Sequence, residues 1–205
     1  MLLAVSAPQL AAAPRPAIVQ KRIPFPAGRK HEMARYARRH YGIDDYHLRN
    51  PKVIVEHVTV TTTYRSAWNT FAADVPDAEL HELPGTCAHF IVDRAGRIHQ
   101  LVSLRYMCRH TVGLNYTAIG IEHVGMSDAD VLGDAKQMRA SLRLTRWLRC
   151  RFGLRVPRVI GHAESLSSPF YRELDPRFKG RTHADWRHRY MQRYRRKLAN
   201  LGACP

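Results

Sequence analysis

Short runs of β-branched and aliphatic residues recur along the chain and predict the strands of a buried sheet. Three of these runs are rich in Val and Ile and lie at residues 52–58, 118–124 and 156–160. Continuous apolar runs of this kind are typical of strands that are covered on both faces. Two further runs, 88–92 and 97–102, flank the turn Asp93-Arg94-Ala95-Gly96 and predict an antiparallel hairpin.

Helical spacing of apolar positions predicts four helices among these strands. Residues 29–41 carry apolar side chains at i, i+3, i+4 and i+8 from Met33, and Gly42 follows as a helix-ending glycine. The longest pattern spans residues 134–152 and also ends before a glycine. The other two helices are expected at residues 66–71 and, as a basic C-terminal helix, at 185–201.

The order of these elements predicts the fold class and the domain organisation. Because hairpin signals lie among the helices, the chain is expected to form one α/β domain with a single mixed central sheet flanked by helices, and not a βαβ series. Residues 1–28 are rich in Pro and Ala and are interpreted as a signal-like remnant followed by a linker. The domain is therefore expected at 29–205, with its core at about 50–187.

The chain is strongly basic, with a formal net charge of +16 at pH 7. Such a charge favours a polyanionic partner, either nucleic acid, an anionic membrane or an anionic wall polymer. No zinc finger, RNA-binding aromatic motif or basic zipper is present, so nucleic acid is not expected as the main partner. The small apolar residues before Pro14 resemble a signal peptide without its basic start, and no apolar run reaches the ~20 residues of a membrane helix. An exported protein, secreted or associated with the cell wall, is expected.

Four cysteines lack the CxxC spacing of redox pairs or zinc knuckles. They form two disulfides in one of three connectivities or remain as four buried thiols. One hypothesis pairs Cys87 with Cys108 across the hairpin. Cys150 of the long helix would then pair with Cys204 near the C-terminus.

Three polar residues adjoin predicted strands in a way that favours a metal site. His57 ends the first core strand, His162 follows the strand 156–160, and Asp185 lies in the segment 181–186. A catalytic zinc ion usually has three protein ligands and an open position for water. Sequence spacing alone does not establish this site, since most histidines at strand ends have structural roles.

Four motifs, taken in order, resemble the type 2 N-acetylmuramoyl-L-alanine amidases, which share their fold with peptidoglycan recognition proteins and phage lysozyme-type amidases. These motifs are Val53-Ile-Val-Glu-His57, the segment His89 to Gly96, Asn115-Tyr-Thr-Ala-Ile-Gly-Ile-Glu122 and Val159-Ile-Gly-His162. The resemblance covers about residues 50–187. It implies a mixed sheet with one zinc ion at its edge, and cleavage of the amide bond between N-acetylmuramic acid and L-alanine.

The resemblance also implies roles for individual residues. His57 and His162 match the two histidine ligands of the family. The third ligand is delayed by an insertion at 164–180, and two residues compete for it. Asp185 is favoured, which leaves His183 as a catalytic donor to the developing oxyanion. If His183 were the ligand instead, Arg181 would occupy the position of a catalytic lysine in other relatives.

Glu122 matches the catalytic glutamate of the family, and a carboxylate inside an apolar strand must be paired or functional. Two further residues are candidates for substrate binding. His110 matches a position in the substrate groove of the family, and Asn115 either orients substrate or caps a turn.

The expected partner is peptidoglycan or a muropeptide, with anionic wall polymers as a further possibility. A monomer without a transmembrane segment is expected. The alternative is a protein of the same fold that binds peptidoglycan without cutting it. Such relatives typically lack part of the ligand set, whereas His57, His162 and Glu122 are all present here, which favours catalysis.

Overall fold

Six strands form one mixed sheet in the computed structural model, which describes residues 13–204. The strands are β1 (Ile18–Gln20), β2 (Val53–Val58), β3 (Phe90–Val92), β4 (Ile98–Gln100), β5 (Ala118–His123) and β6 (Val159–Gly161). Their spatial order is β1-β4-β3-β5-β2-β6. Only β3 and β4 pair in antiparallel orientation, as the hairpin pattern predicts, and the other neighbouring strands are parallel. The predicted mixed α/β fold is confirmed.

Within residues 13–204, five α-helices accompany the sheet and include the four that were predicted. They are α1 (Ala27–Tyr41), α2 (Tyr64–Ala72), α3 (Asp128–Gly133), α4 (Ala135–Arg151) and α5 (His188–Ala199). The glycine after α1, Gly42, has a φ of 67° and ends the helix as expected. Short 3₁₀ turns cover Val156–Arg158 and His162–Ser167. Among the described helices, none is long and apolar enough to cross a membrane.

The two faces of the sheet pack against different helices. Phe90 and Val92 of β3 belong to a large apolar cluster that includes Leu148 of α4 and Tyr194 of α5. Ile91, between them, belongs to a second cluster that contains α2 residues, because successive side chains of a strand point to opposite faces. Both faces of β2 and β5 are therefore covered, in agreement with their continuous apolar sequences.

The N-terminal part of the structure corrects the predicted linker. Ile18–Gln20 is an edge strand that pairs with Ile98–Gln100, and α1 begins at Ala27. The globular unit thus begins well before residue 29. Residues 1–12 of the predicted signal-like segment lie outside the described residues.

The structure contains the two disulfides Cys87–Cys108 and Cys150–Cys204. This pairing confirms the hypothesis drawn from the positions of the cysteines. The second bond joins α4 to the C-terminal segment across a sequence separation of 54 residues. The C-terminal segment is therefore attached covalently to the longest helix of the domain.

Replacing both Cys150 and Cys204 with Ala is expected to lower the free energy of unfolding by about 4 kcal/mol, because the unfolded chain regains the freedom of a long loop. Denaturant unfolding measures this difference, and the Cys87→Ala/Cys108→Ala variant, with its shorter loop, should lose about 3 kcal/mol. Four titratable thiols in the native protein, isolated without reductant, would contradict both disulfides.

Candidate metal centre

His57, His162 and Asp185 converge at the carboxyl ends of neighbouring strands. His57 is in β2, His162 directly follows β6, and Asp185 lies in the irregular segment before α5. The Nδ1 atoms of His57 and His162 are 3.1 Å apart. The Asp185 carboxylate lies 3.3 Å from His162 Nδ1 and 3.6 Å from His57 Nδ1. These three side chains form a group that could hold a metal ion.

The donor set fits zinc in both chemistry and spacing. Two imidazole nitrogens and one carboxylate are common zinc ligands, and bonds of about 2.0–2.1 Å place tetrahedral ligand atoms about 3.3 Å apart. The three observed separations, from 3.1 to 3.6 Å, bracket that value. The site therefore needs little rearrangement to accept a tetrahedral ion.

The electrostatics of the group favour a bound cation. Although burial opposes the shift, hydrogen bonds to His162 and His57 hold the pKa of Asp185 well below its usual range. Burial lowers the pKa of His162 to about 4, so its imidazole is a neutral donor. The pKa of His57 is raised against the effect of burial by Asp185 and Glu122. The surrounding carboxylates thus stabilise positive charge at this point.

A second layer of contacts fixes the ring of His57. Its Nε2 lies 3.0 Å from His110 Nδ1 and 3.3 Å from Thr111 Oγ1. Partners of this kind set the orientation and tautomer of a ligating histidine. His110 was predicted to bind substrate. It contacts His57 and also lines the cavity that contains Glu122, and substrate binding stays a prediction. Thr111 was missed, because nothing in a lone Thr signals such a contact.

Asn115 stabilises the turn that contains His110 and Thr111. Its Oδ1 accepts hydrogen bonds from the backbone nitrogens of His110 and Thr111 at 2.8 and 2.7 Å, and its Nδ2 donates to the Tyr36 hydroxyl. The side chain is fully buried. Of the two roles considered for Asn115, the observed contacts are those of a turn-capping residue, and substrate binding stays a prediction.

Glu122 stands beside His57 because β2 and β5 are parallel and in register, with these two residues paired. Burial raises the pKa of Glu122 to about 7. Its Oε2 atom is buried and has no hydrogen-bond partner among the described residues. Glu122 and the three grouped side chains line one cavity of about 360 Å³. A carboxylate with these properties is suited to exchange protons near neutral pH.

His183 lies outside the three-residue group. Its imidazole stacks on that of His162 with ring centroids 4.7 Å apart, and its Nε2 lies 2.8 Å from Glu79 Oε2. The geometry favours Asp185 over His183 as the third ligand. Asp175, an aspartate within the insertion, accepts a hydrogen bond from Arg177 and does not belong to the group.

Two glycines allow bulky groups to approach the site. A Cβ atom on Gly120 would lie 2.7 Å from the His110 ring, and one on Gly161 would lie 1.9 Å from the carbonyl oxygen of Trp186.

Trp186 follows Asp185 and is held by Asp128, whose carboxylate accepts a hydrogen bond from the Trp186 backbone nitrogen at 2.6 Å. Asp128 was missed together with α3, although Ser127 caps that helix in a recognisable pattern.

One exposed residue at the rim of the cavity has an unfavourable backbone conformation. Val60, three residues after His57, has a φ of 50°. This left-handed conformation costs a β-branched residue about 1–3 kcal/mol. Strain of this size persists only where the neighbouring structure enforces it.

Residues 47–178 match the family model Amidase_2, described as N-acetylmuramoyl-L-alanine amidase. The match covers more than half of the chain. The chain belongs to the Amidase_2 family. The family places it among the amidases of peptidoglycan. Because the match ends before Asp185, the assignment of this residue rests on the geometry of the site.

Three solved structures share the fold of this Amidase_2 chain. PlyL aligns with a TM-score of 0.55 at 16% identity, over 87% of this chain and 96% of its own. The N-acetylmuramoyl-L-alanine amidase LysC from Clostridium intestinale gives 0.53 at 16%, over 90% and 98%. A mutant endolysin from Bacillus subtilis gives 0.51 at 21%, over 91% and 99%. No curated protein matches the chain significantly by sequence.

Proposed function

We propose that the protein is a zinc-dependent hydrolase that cleaves the amide bond between N-acetylmuramic acid and L-alanine in peptidoglycan or its fragments. The observation that carries this proposal is the pairing of a buried, unpartnered carboxylate with a metal-type donor set. Glu122 lies in register with His57, and His57 converges with His162 and Asp185. Membership of the Amidase_2 family supports the choice of substrate.

Each side chain has a defined part in the proposed reaction. A zinc ion held by His57, His162 and Asp185 would supply a Lewis acid that lowers the pKa of water and polarises the substrate carbonyl. Glu122 takes a proton from the attacking water and delivers it to the nitrogen of the departing alanine. The oxygen of the attacked carbonyl becomes negative, and His183 donates a hydrogen bond to it.

The presence of both the three metal-type donors and the carboxylate of Glu122 favours catalysis over recognition alone. A binding protein of the same fold would have no need for a buried carboxylate that lines the cavity of the metal-type site without a hydrogen-bond partner among the described residues. The second candidate function, non-catalytic binding of peptidoglycan, leaves that feature without a purpose.

The compartment and the partners are part of the same proposal. Two disulfides support an exported, secreted or wall-associated protein, since such bonds persist in oxidising environments. The net charge of +16 supports contact with an anionic wall. A monomer suffices for the proposed chemistry, because one chain supplies every residue named.

Mass spectrometry of digested muropeptides, combined with metal analysis, tests the function. We expect about one zinc ion per chain, free stem peptides that begin with L-alanine, and loss of cleavage after chelation that zinc restores. Cleavage at a sugar–sugar or peptide–peptide bond would contradict the substrate assignment. Unchanged cleavage after complete metal removal would contradict the zinc dependence.

The basic helix α5 is the proposed contact with anionic wall polymers. Tyr194 is buried and Tyr190 is half-buried, so this side of the helix faces the domain. Arg195 is not available to an external partner, because it forms two hydrogen bonds with Glu164. The cations that remain exposed are Arg187, Arg189, Arg193, Arg196 and Lys197.

Replacing Arg189, Arg193, Arg196 and Lys197 with Gln is expected to weaken binding to whole walls as strongly as raised salt does, because exposed charges are screened over ~8 Å at physiological ionic strength. Cleavage of a small muropeptide should change little. Sedimentation of the protein with isolated walls measures the binding. Four exposed cations of another helix, Lys136, Arg139, Arg143 and Arg151, provide a control of equal charge. Equal losses in both variants would show that net charge, and not this surface, causes the attraction.

A further inference from the structure

Val60 lies where two cavities beside the metal centre meet. It lines the cavity of about 360 Å³ that contains Glu122 and the grouped ligands. It also lines a second cavity of about 220 Å³, together with Met126 and Tyr190. Asp185 is common to both cavities. A substrate whose scissile bond is at the metal centre can therefore extend past Val60.

The side chain of Val60 is unusually exposed for an apolar residue. Its relative exposure is 62%, and it belongs to none of the buried apolar clusters of the described residues. Met126 also lines the second cavity and is exposed at 52%. Together these two side chains present apolar surface beside the polar groups of the metal centre. Exposed apolar surface in a cleft is typical of a binding site.

The backbone around Val60 is held in place from both sides. Thr59 donates its backbone nitrogen to His123 at 3.0 Å, and Thr61 faces Gly125 in an antiparallel bridge. The hydroxyls of Thr59 and Thr61 are 2.8 Å apart and close the turn beneath Val60. These contacts enforce the φ of 50° and direct the isopropyl group away from the core.

Neither the conformation nor the exposure favours a valine at this position. Asn and Gly adopt the left-handed region at lower cost, and a polar side chain is better suited to a position in contact with solvent. Stability alone would therefore select a different residue. The presence of Val implies a gain from its apolar side chain that the isolated domain does not show.

We propose that Val60 is a specificity-determining residue, whose isopropyl group contacts a methyl group next to the scissile amide. This inference rests on the proposed function. In the bond that we propose is cut, the lactyl carbon and the alanine Cα each carry one methyl group beside the amide. Either methyl can lie against a small branched apolar side chain.

The test compares Val60→Asn with the wild type on three soluble substrates. These are N-acetylmuramoyl-L-alanyl-D-isoglutamine, its glycyl analogue without the alanine methyl, and its glycolyl analogue without the lactyl methyl. On the parent substrate we expect KM to rise about 10-fold in the variant, with kcat little changed. On the analogue that lacks the contacted methyl, wild type and variant should have the same KM. Val60→Ile should keep the KM of the wild type.

Thermal unfolding gives an independent readout. Val60→Asn should unfold at a temperature about 2–4 °C higher than the wild type, because the left-handed conformation is relieved. The matched control is Val75→Asn, since Val75 is 58% exposed and lines none of the cavities described above. It should change neither KM nor the unfolding temperature.

Three results would overturn the inference while leaving the proposed function intact. They are an unchanged KM in Val60→Asn, a KM ratio that persists on both analogues, and a fall in unfolding temperature that marks Val60 as a structural residue. A wild-type protein that cleaves none of the three substrates after zinc loading overturns the proposed function, and the assignment of Val60 with it.

Discussion

Replacing His57 or His162 with Ala is expected to abolish zinc binding and to lower kcat/KM by about 10³-fold or more. Each substitution removes a nitrogen donor from a group that has only three protein ligands. Because the bound ion is expected to contribute several kcal/mol of transition-state stabilisation, its loss corresponds to a rate effect of this size. Metal analysis of the purified variants and cleavage of a soluble muropeptide measure the two effects.

The control for this prediction is His31→Ala, which removes an exposed histidine of α1. It should retain both metal and activity. Asp185→Ala should behave like the histidine variants, whereas His183→Ala should keep the metal and lose activity. A His57→Ala protein that still holds one zinc ion per chain would falsify the ligand assignment.

Glu122→Gln is expected to lower kcat by about 10²–10⁴-fold while the zinc content and the unfolding temperature stay near those of the wild type. The amide has almost the shape of the carboxylate but cannot take a proton from water. Because the Glu122 side chain is buried, a base from solvent cannot readily take its place. Single-turnover cleavage of a soluble muropeptide separates this chemical step from product release.

Glu56 offers a closely matched control. It lies in β2 next to His57, is fully buried, and has a pKa raised by burial to about 7, as Glu122 does. Its Oε1 accepts a hydrogen bond from Thr145 of α4, however, so it faces the helices and not the cavity. Glu56→Gln should keep most of the activity. Equal losses of kcat in the two variants would mean that Glu122 acts through the fold and not as a base.

The sheet and the main helices could be predicted because their signals are local. The apolar run ending at Val58 and the periodic apolar positions of α4 each contain enough residues to specify one kind of element. The strand Ile18–Gln20 could not be predicted in this way. It has three residues and lies between prolines, and its strand conformation depends on pairing with β4.

The same distinction between local signals and long-range contacts applies to the candidate site. His57 and Glu122 could be located because they are parts of recognisable strands. The third ligand stayed open between His183 and Asp185, because both lie in an irregular segment whose path is set by tertiary contacts. One such contact is the hydrogen bond that the Trp186 backbone nitrogen donates to Asp128, and its partners are far apart in sequence. The contacts of His110 with His57 depend on the same kind of long-range packing.

The insertion at 164–180 divides the candidate site into two parts that differ in their tolerance to changes in chain length. His57, His162 and Glu122 are in the sheet or directly after it, so altering their spacing would disturb the core. Asp185, in contrast, lies at the end of a surface segment. The entropic cost of closing such a segment grows slowly with its length. Segments of many different lengths could therefore place a carboxylate at the position of Asp185. The segment between His162 and Asp185 is thus the part of this site where insertions and deletions can accumulate. New surfaces around the substrate can arise there without altering the catalytic geometry.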